Sequence, residues 1–436
     1  MLSYFHYFDR QTELDFLTLL FFRIFIGYGL ELSRLVPLII FHLKKKYICK
    51  TEAEVNEAWA PGDINYATRV PNDLLIATIV LCYSVIAPVI IPFGVAYFGV
   101  GWLVLRNQAL KVYVPSYESY GRMWPHMHAR ILAALIIYQV TMVGYFSIKQ
   151  FLYSPLVIPL PALSIAFGLM CRQKFYYSFR NTPLEVACAE MKETPNLEAI
   201  YKAYIPPCLS SDKFDEAQEF GDALSAVPKT GKPGNMVIYY PIWINKGLLP
   251  PYDVRTRSPF AWIKESFTST EEKIISNSGV DTAVYFVFLS TVLKIMVSSG
   301  TFLLPSLLPI AWTANGIFVK VNCFKINSNI SNLERFSMAN VEEKSPRLWA
   351  FLLATYVVSF TTFYMLWKAY NHVSELRGTA LSALDVIMPE QYAIVVRDIP
   401  AVPKTQKDRK EQVDSYFKSL YADEFYDSLV ITDNTE

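Results

Sequence analysis

Apolar residues run along this chain in long stretches of helical length, separated by short polar loops. An α-helix rises ~1.5 Å per residue, so about 20 apolar residues cross a hydrocarbon layer ~30 Å thick. Leu14–Leu43 is one such stretch, interrupted by Gly27, Gly29 and Pro37. Leu74–Leu105 carries no charge, yet as one straight helix it would reach ~48 Å, too long for a single crossing. Pro88 and Pro92 stand near its middle, where proline removes a helical N–H and clashes with the preceding turn. The stretch therefore predicts two short helices forming a hairpin. Ile131–Ile148, Phe151–Cys171, Thr282–Trp312 and Leu348–Trp367 complete the set. The pattern predicts about seven transmembrane helices and an all-α polytopic membrane protein.

Composition strengthens that picture. Of 436 residues, 53% are hydrophobic and 18% charged, against roughly 25% charged in soluble domains. A net charge of +1 gives no electrostatic basis for nucleic-acid binding. The six cysteines form no CxxC pair and read as scattered thiols. The N-terminus has neither a basic n-region nor a small-residue cleavage site, so no removable signal peptide is expected. GxSxG, P-loop and HExxH signatures are absent, so neither an enzyme nor a cofactor is expected.

Charge patterning orients the spans. Lys44, Lys45, Lys46 and Lys50 follow the first stretch, and Arg106, Lys111, Arg122 and Arg130 fill the loop after the hairpin. Arg172, Lys174 and Arg180, then Arg255, Arg257, Lys264 and Lys273, then Lys368 and Arg377 mark three further basic ends. Basic loops face the cytoplasm, which places the N-terminus outside and the C-terminus inside. Segment 313–346 then faces outside, with a glycosylation sequon at Asn329.

Several places carry candidate chemistry. His126 and His128, with Glu118 nearby, sit in the loop after the hairpin. A zinc site needs three or four ligands, and histidines two apart on a helix point apart, so this loop reads as a membrane-surface connector with its Tyr and Trp rings at the headgroups, and no metal is expected. Within the first stretch, Glu31 and Arg34 are charges in an apolar helix. Such residues face a partner or a water-filled path. Being three apart, they either pair with each other or Glu31 lines a cation path. Gly27 and Gly29 either let the helix bend or allow close helix packing. In the hairpin, Tyr83 and Ser84 are the polar candidates, with packing as the alternative. Lys294, inside the Thr282 stretch, either faces lipid and snorkels or faces a cavity, where it would meet lipid phosphates or repel cations. The triplet Lys44, Lys45 and Lys46 either binds anionic headgroups, each worth about 1 kcal/mol, or marks topology. Asp9, Glu13 and Asp15 either concentrate cations at an outer mouth or form a solvated face.

Long strings carry a resemblance. "LRNQALKVYVPSYESYGRMWPHMHARILAAL", "GLELSRLVPLIIFHLKKKYICKTEAEVNEAW" and "CRQKFYYSFRNTPLEVACAEMK" closely resemble the plant OSCA/CSC family of hyperosmolality- and stretch-gated cation channels. The likeness covers roughly residues 12–225 and is similar to the family's C-terminal half. "VIYYPIWINKGLLPP", "SGVDTAVYFVFLSTVLKIM" and "SPRLWAFLLATYVVSFTTFYMLWKAY" resemble its N-terminal region, and "PEQYAIVVRDIP" resembles the first strand of its RRM-like cytosolic domain. Family order is thus inverted, with the join in the Pro/Gly-rich 225–235. The expected division is a channel-type transmembrane region at 1–171, a cytoplasmic tail and linker at 172–236, an N-terminal-type transmembrane region at 237–372, and the start of a truncated RRM-like α/β piece at 373–436. A gene model fusing two neighbouring copies is the favoured origin of that order, and a rearranged chain the other.

The resemblance implies an anoctamin-like helix arrangement and an osmotically or mechanically gated, calcium-permeable, non-selective cation channel in the plasma membrane. Its partners would be membrane lipids and permeant Ca²⁺, K⁺ and Na⁺, with a homodimer as the implied assembly. It matches the first helix to the family's pore-lining helix and Glu31 to an acidic position there. The alternatives are a non-conducting fragment and a lipid scramblase.

Overall fold

The structure, a computed structural model, describes residues 18–51, 54–55, 58, 62–115, 118–180, 239, 242, 261–314, 334–382 and 406–420. Most of these are helical, and no strand occurs among them. Asp9, Glu13, Asp15, Asn329, most of 172–236 and the expected RRM-like strands lie outside the described residues.

The chain begins with a bent pair, α1 (Thr18–Ser33) and α2 (Leu35–Tyr47), inclined by 44°. Their joint is Arg34, at φ +52° in the left-handed region, which ordinary L-residues avoid. Within α1, Arg23–Gly27 forms a π turn, a widening that recurs at functional sites. Next come α3 (Tyr66–Tyr83) and α4 (Ile90–Lys111). Between them the chain breaks at residues 84–89, as the prolines predict. Pro88 lies in the break, whereas Pro92 sits in the first turn of α4, where its missing N–H costs little. Then follow α5 (Trp124–Ile148), a 3₁₀ turn (Ser154–Val157) and α6 (Pro159–Arg180). The short α7 (Ala261–Thr268) precedes α8 (Glu271–Trp312), and α9 (Leu348–Ser382) completes the helical body. A second compact unit contains α10 (Gln406–Leu420), within the segment expected to supply a helix of the RRM-like piece.

Five helices are long and apolar enough to cross a membrane, or six if the bent α1–α2 pair is one span. The protein is an all-α, multi-pass membrane protein. The remaining expected crossing is α3, which is not among them because its first half carries Arg69, Asn72 and Asp73.

Without a hydrophobic force between helices in lipid, close packing and internal hydrogen bonds hold them together. α8 packs on α4, α3 on α5, and α5 on α6. Glycine makes the first contact close: a Cβ on Gly94 would lie 2.8 Å from Val80 Cγ1 and 3.0 Å from Met296 Sδ. Buried polar side chains add specific links. Gln139 of α5 donates to Ser359 of α9 at 3.1 Å and accepts from Ser164 of α6 at 2.9 Å, with all three side chains sealed from the surface. Phe175 stacks on Tyr370 at 4.3 Å, tying α6 to α9. Segments on both sides of residues 225–235 thus interleave in one helical body.

The loop after the hairpin is not the membrane-surface connector its sequence suggests. Arg106–Lys111 belongs to α4, and α5 begins at Trp124. Trp124 and His128 are one helical turn apart, so both face inward, and both rings meet Tyr370. Among the described residues, no group of three or more His, Cys, Asp or Glu side chains is placed to hold a metal.

The turn just ahead of it is pinned from α8. Asp281 accepts hydrogen bonds from the Ser119 amide, from Ser119 Oγ at 2.9 Å and from the Gly121 amide at 2.7 Å. Two residues earlier α8 breaks at Gly279, φ +81° and ψ 171°, a conformation open in practice to glycine alone. The Glu118 carboxylate fills the space where a Cβ would stand. Burial raises that carboxyl above its usual value. Gly279→Ala is therefore expected to cost at least ~1–3 kcal/mol from backbone strain alone, read as a lowered melting temperature of the purified protein. An unchanged melting temperature would show that the break relaxes without penalty.

Candidate functional site

The candidate site lies where α1, α3, α4 and α8 meet. It starts from Glu31, the acidic residue of α1. Glu31 does not pair with Arg34, because the helix ends at Ser33 and Arg34 turns into the left-handed joint. Its carboxylate instead takes Arg69 of α3, with Arg69 Nη2 2.9 Å from Glu31 Oε2 and the two side chains 24% and 21% exposed. Tyr113, just past α4, donates its hydroxyl to Glu31 Oε1 and accepts from Arg69 Nη2 at 3.1 Å. Gln108 Nε2 donates to the Glu31 carbonyl at 3.0 Å. Burial first, then the Glu31 charge, pushes the Tyr113 hydroxyl well above the usual phenol range, so it remains a donor. The Arg34 guanidinium lies 5.9 Å from the Tyr113 ring centre, a distance at which cation and ring attract. A cleft of about 180 Å³ opens beside this group, lined by Asp63, Asn65, Tyr66, Tyr113 and Thr282 among others.

One turn along α3 from Arg69 sits a second acid, this one buried. Asp73, 4% exposed, accepts from Tyr97 of α4 at 2.9 Å and from Tyr285 of α8 at 2.6 Å, one tyrosine on each oxygen. Tyr28 of α1 packs against Tyr97 with ring centres 5.3 Å apart, over Gly101, where there is no room for a side chain. Tyr66 and Thr282 join their hydroxyls at 2.7 Å. The arrangement binds one charge of each sign on α3 to the three helices around it. Arg69 and Asp73 are four apart, hence on one face. Nothing in the Leu74–Leu105 reading pointed to them, because that uncharged stretch begins at the next residue.

The other expected residues are placed as follows. Gly27 ends the π turn and Gly29 lies one turn before the bend, and a Cβ on either would meet nothing within 4 Å. Among the described residues, neither glycine sits at a close helix contact. Ser84 is buried, and its hydroxyl donates to the Leu81 carbonyl at 2.7 Å, closing the last turn of α3. Tyr83 is half-buried beside it. Lys294 lies on the exposed face of α8. Lys44, Lys45 and Lys46 are exposed in the last turn of α2, with Lys45 near the Phe41 ring and Lys46 near that of Tyr47.

Comparison with known proteins adds identity to this geometry. Residues 14–146 match the family described as "Calcium-dependent channel, 7TM region, putative phosphate". Residues 230–369 match "Late exocytosis, associated with Golgi transport". The chain is 68% identical over 210 residues to hyperosmolality-gated Ca²⁺ permeable channel 3.1 of Arabidopsis thaliana, covering 48% of this chain and 29% of the relative. It is 64% identical over 210 residues to CSC1-like protein ERD4 of Brassica juncea, with the same coverage. With hyperosmolality-gated Ca²⁺ permeable channel 1.8 of Arabidopsis thaliana it shares 36% over 212 residues, 47% of this chain and 26% of the relative. The chain thus spans less than a third of the length of these relatives. Two matched regions, 14–146 and 230–369, and the identities over 210 residues lead to one conclusion: in both parts the chain is similar to the OSCA/CSC family, whose listed relatives are named hyperosmolality-gated Ca²⁺ permeable channels and CSC1-like proteins.

Proposed function

We propose that the chain acts as an osmotically or mechanically gated, calcium-permeable, non-selective cation channel of the plasma membrane, passing Ca²⁺, K⁺ and Na⁺, with a homodimer as its assembly. The observation that carries this reading is the Glu31 carboxylate, held between α1 and α3 beside an open cleft. A carboxylate there attracts hard cations, and the Arg69–Tyr113 clasp supplies a way to withhold it. In this arrangement Glu31 is neutralised, which we read as the non-conducting state. Membrane expansion favours whichever state occupies more area; separating α1 from α3 would free Glu31. The open space at Gly27 and Gly29, the π turn before them and the bend at Arg34 supply the give in α1. Tyr83 and Ser84 close the end of the neighbouring helix. Lys294 and the triplet Lys44, Lys45 and Lys46 take lipid contacts, and Asn329 is the glycosylation site.

The test is tension-activated current from the purified chain in liposomes, with Ca²⁺ and K⁺ permeabilities taken from reversal potentials. Glu31→Gln is expected to lower relative Ca²⁺ permeability about fivefold, the effect of removing a charge worth ~1 kcal/mol at a hydrated site. The chain's coverage of only 29% of its relatives supports a second reading, a non-conducting fragment. Correctly inserted protein that passes no current at any tension decides for that reading.

A further inference from the structure

At the end of the helical body away from Glu31, one buried lysine holds a short turn. Lys149, just past α5, is 4% exposed. Its ammonium donates to the Ala339 carbonyl at 2.8 Å and to the Val341 carbonyl at 2.7 Å. The Lys149 carbonyl in turn accepts from the Lys344 amide at 3.1 Å. Between these contacts lies the 3₁₀ turn Met338–Asn340, capped by Ser337. The turn reaches two other elements. Its Met338 amide donates to the Ile86 carbonyl at 2.7 Å, inside the break between α3 and α4. Its Asn340 side chain donates to the Ala311 and Ala314 carbonyls, both at 2.7 Å, at the end of α8. Ile86, Met338, Asn340 and Val341 are all buried.

We propose that Lys149 is a positioning residue: through this turn it fixes the tip of the α3–α4 hairpin to the end of α8. The physical case rests on what each group needs. A break in a membrane hairpin frees backbone carbonyls, and each must find a donor. Ile86 finds one in the short 3₁₀ turn Met338–Asn340. That turn presents its own carbonyls at Ala339 and Val341, and a lysine supplies several N–H groups on a flexible stem to bind both. The hairpin carries Arg69 and Asp73, so an anchored tip fixes the register of α3 against α1. This consequence rests on the channel reading above; the anchoring does not.

The test uses the full chain in lipid nanodiscs with a Met338→Cys substitution, probed by a membrane-impermeant maleimide over the background of the native thiols. Lys149→Met is expected to raise the labelling rate of that thiol at least tenfold, while Lys149→Arg keeps it protected. In liposomes, Lys149→Met is expected to lower the tension needed for half-maximal current. Unchanged labelling overturns the proposal, and increased labelling with an unchanged tension threshold supports the anchor and overturns its consequence for the register of α3. Increased labelling with no current from any variant, wild type included, supports the anchor and removes the channel reading. Where Lys149→Met fails to insert, Asn340→Ala loosens the same turn from the α8 side and carries the same expectations.

Discussion

Asp73→Leu is expected to destabilise the helical body by about 2–5 kcal/mol. Two terms set that figure. Tyr97 and Tyr285 would each be left as a buried hydroxyl without its acceptor, at ~1–3 kcal/mol apiece. Leucine also removes the cost of keeping a carboxylate out of water, which offsets part of the loss. Asp73→Asn keeps one acceptor oxygen and should recover part of the loss. Tyr97→Phe and Tyr285→Phe should each cost only ~0.5–1.5 kcal/mol, because the carboxylate keeps its other tyrosine. The measurement is the melting temperature of the purified chain by intrinsic fluorescence. If leucine is tolerated as well as asparagine, the carboxylate is not what joins α3, α4 and α8.

Arg69→Gln is expected to raise the fraction of time spent conducting about tenfold at fixed tension. The Glu31–Arg69 pair is neither sealed nor open to solvent, so its worth falls between the ~0–1 kcal/mol of a surface pair and the ~3–5 kcal/mol lost on breaking a buried one. A change of ~1.4 kcal/mol is tenfold in an equilibrium. If the pair holds the resting arrangement, its loss moves the population by that factor. The charge-swapped double variant R69E/E31R should return the open fraction towards that of the wild type, which a mere packing role for Arg69 would not give. Tension–response curves for the wild type and these two variants decide the matter. Superimposable curves for wild type and Arg69→Gln would remove the latch.

Much of the fold is legible from apolar run length and proline position. Pro88 marks the break between α3 and α4 because a ring without an N–H cannot continue a helix. Pro92, four residues on, reads the same in sequence, yet lies inside a first turn where the N–H is not needed. The site was legible only at Glu31, a charge inside an apolar helix. Its partner was not, because Arg34 is three residues away in sequence whereas Arg69 and Tyr113 reach Glu31 only once three helices have packed. The break at Gly279 carries a signal, a glycine just after the polar run Ser276-Asn277-Ser278, but its cause is Glu118, 161 residues earlier by residue number. His128 and Trp124 were misread because a sequence rich in Tyr, Trp and Arg suits both a headgroup belt and a buried aromatic contact, and only Tyr370 of α9 decides between them.

The interleaving of early and late segments sets an order of events during synthesis. Asp73 and Gln139 enter the membrane with their own neighbourhood, Tyr97 and Ser164, but Tyr285 and Ser359 have yet to be made. Asp73 and Tyr285 are 212 residues apart in sequence, and at ~5–20 residues per second that separation is a wait of about 10–40 s. For that interval a carboxylate and an amide side chain sit in a half-built bundle with part of their hydrogen bonding unmet. The ribosome's pace thereby becomes part of the folding problem. Any product released before α8 is complete would carry an incompletely paired acid within a membrane hairpin.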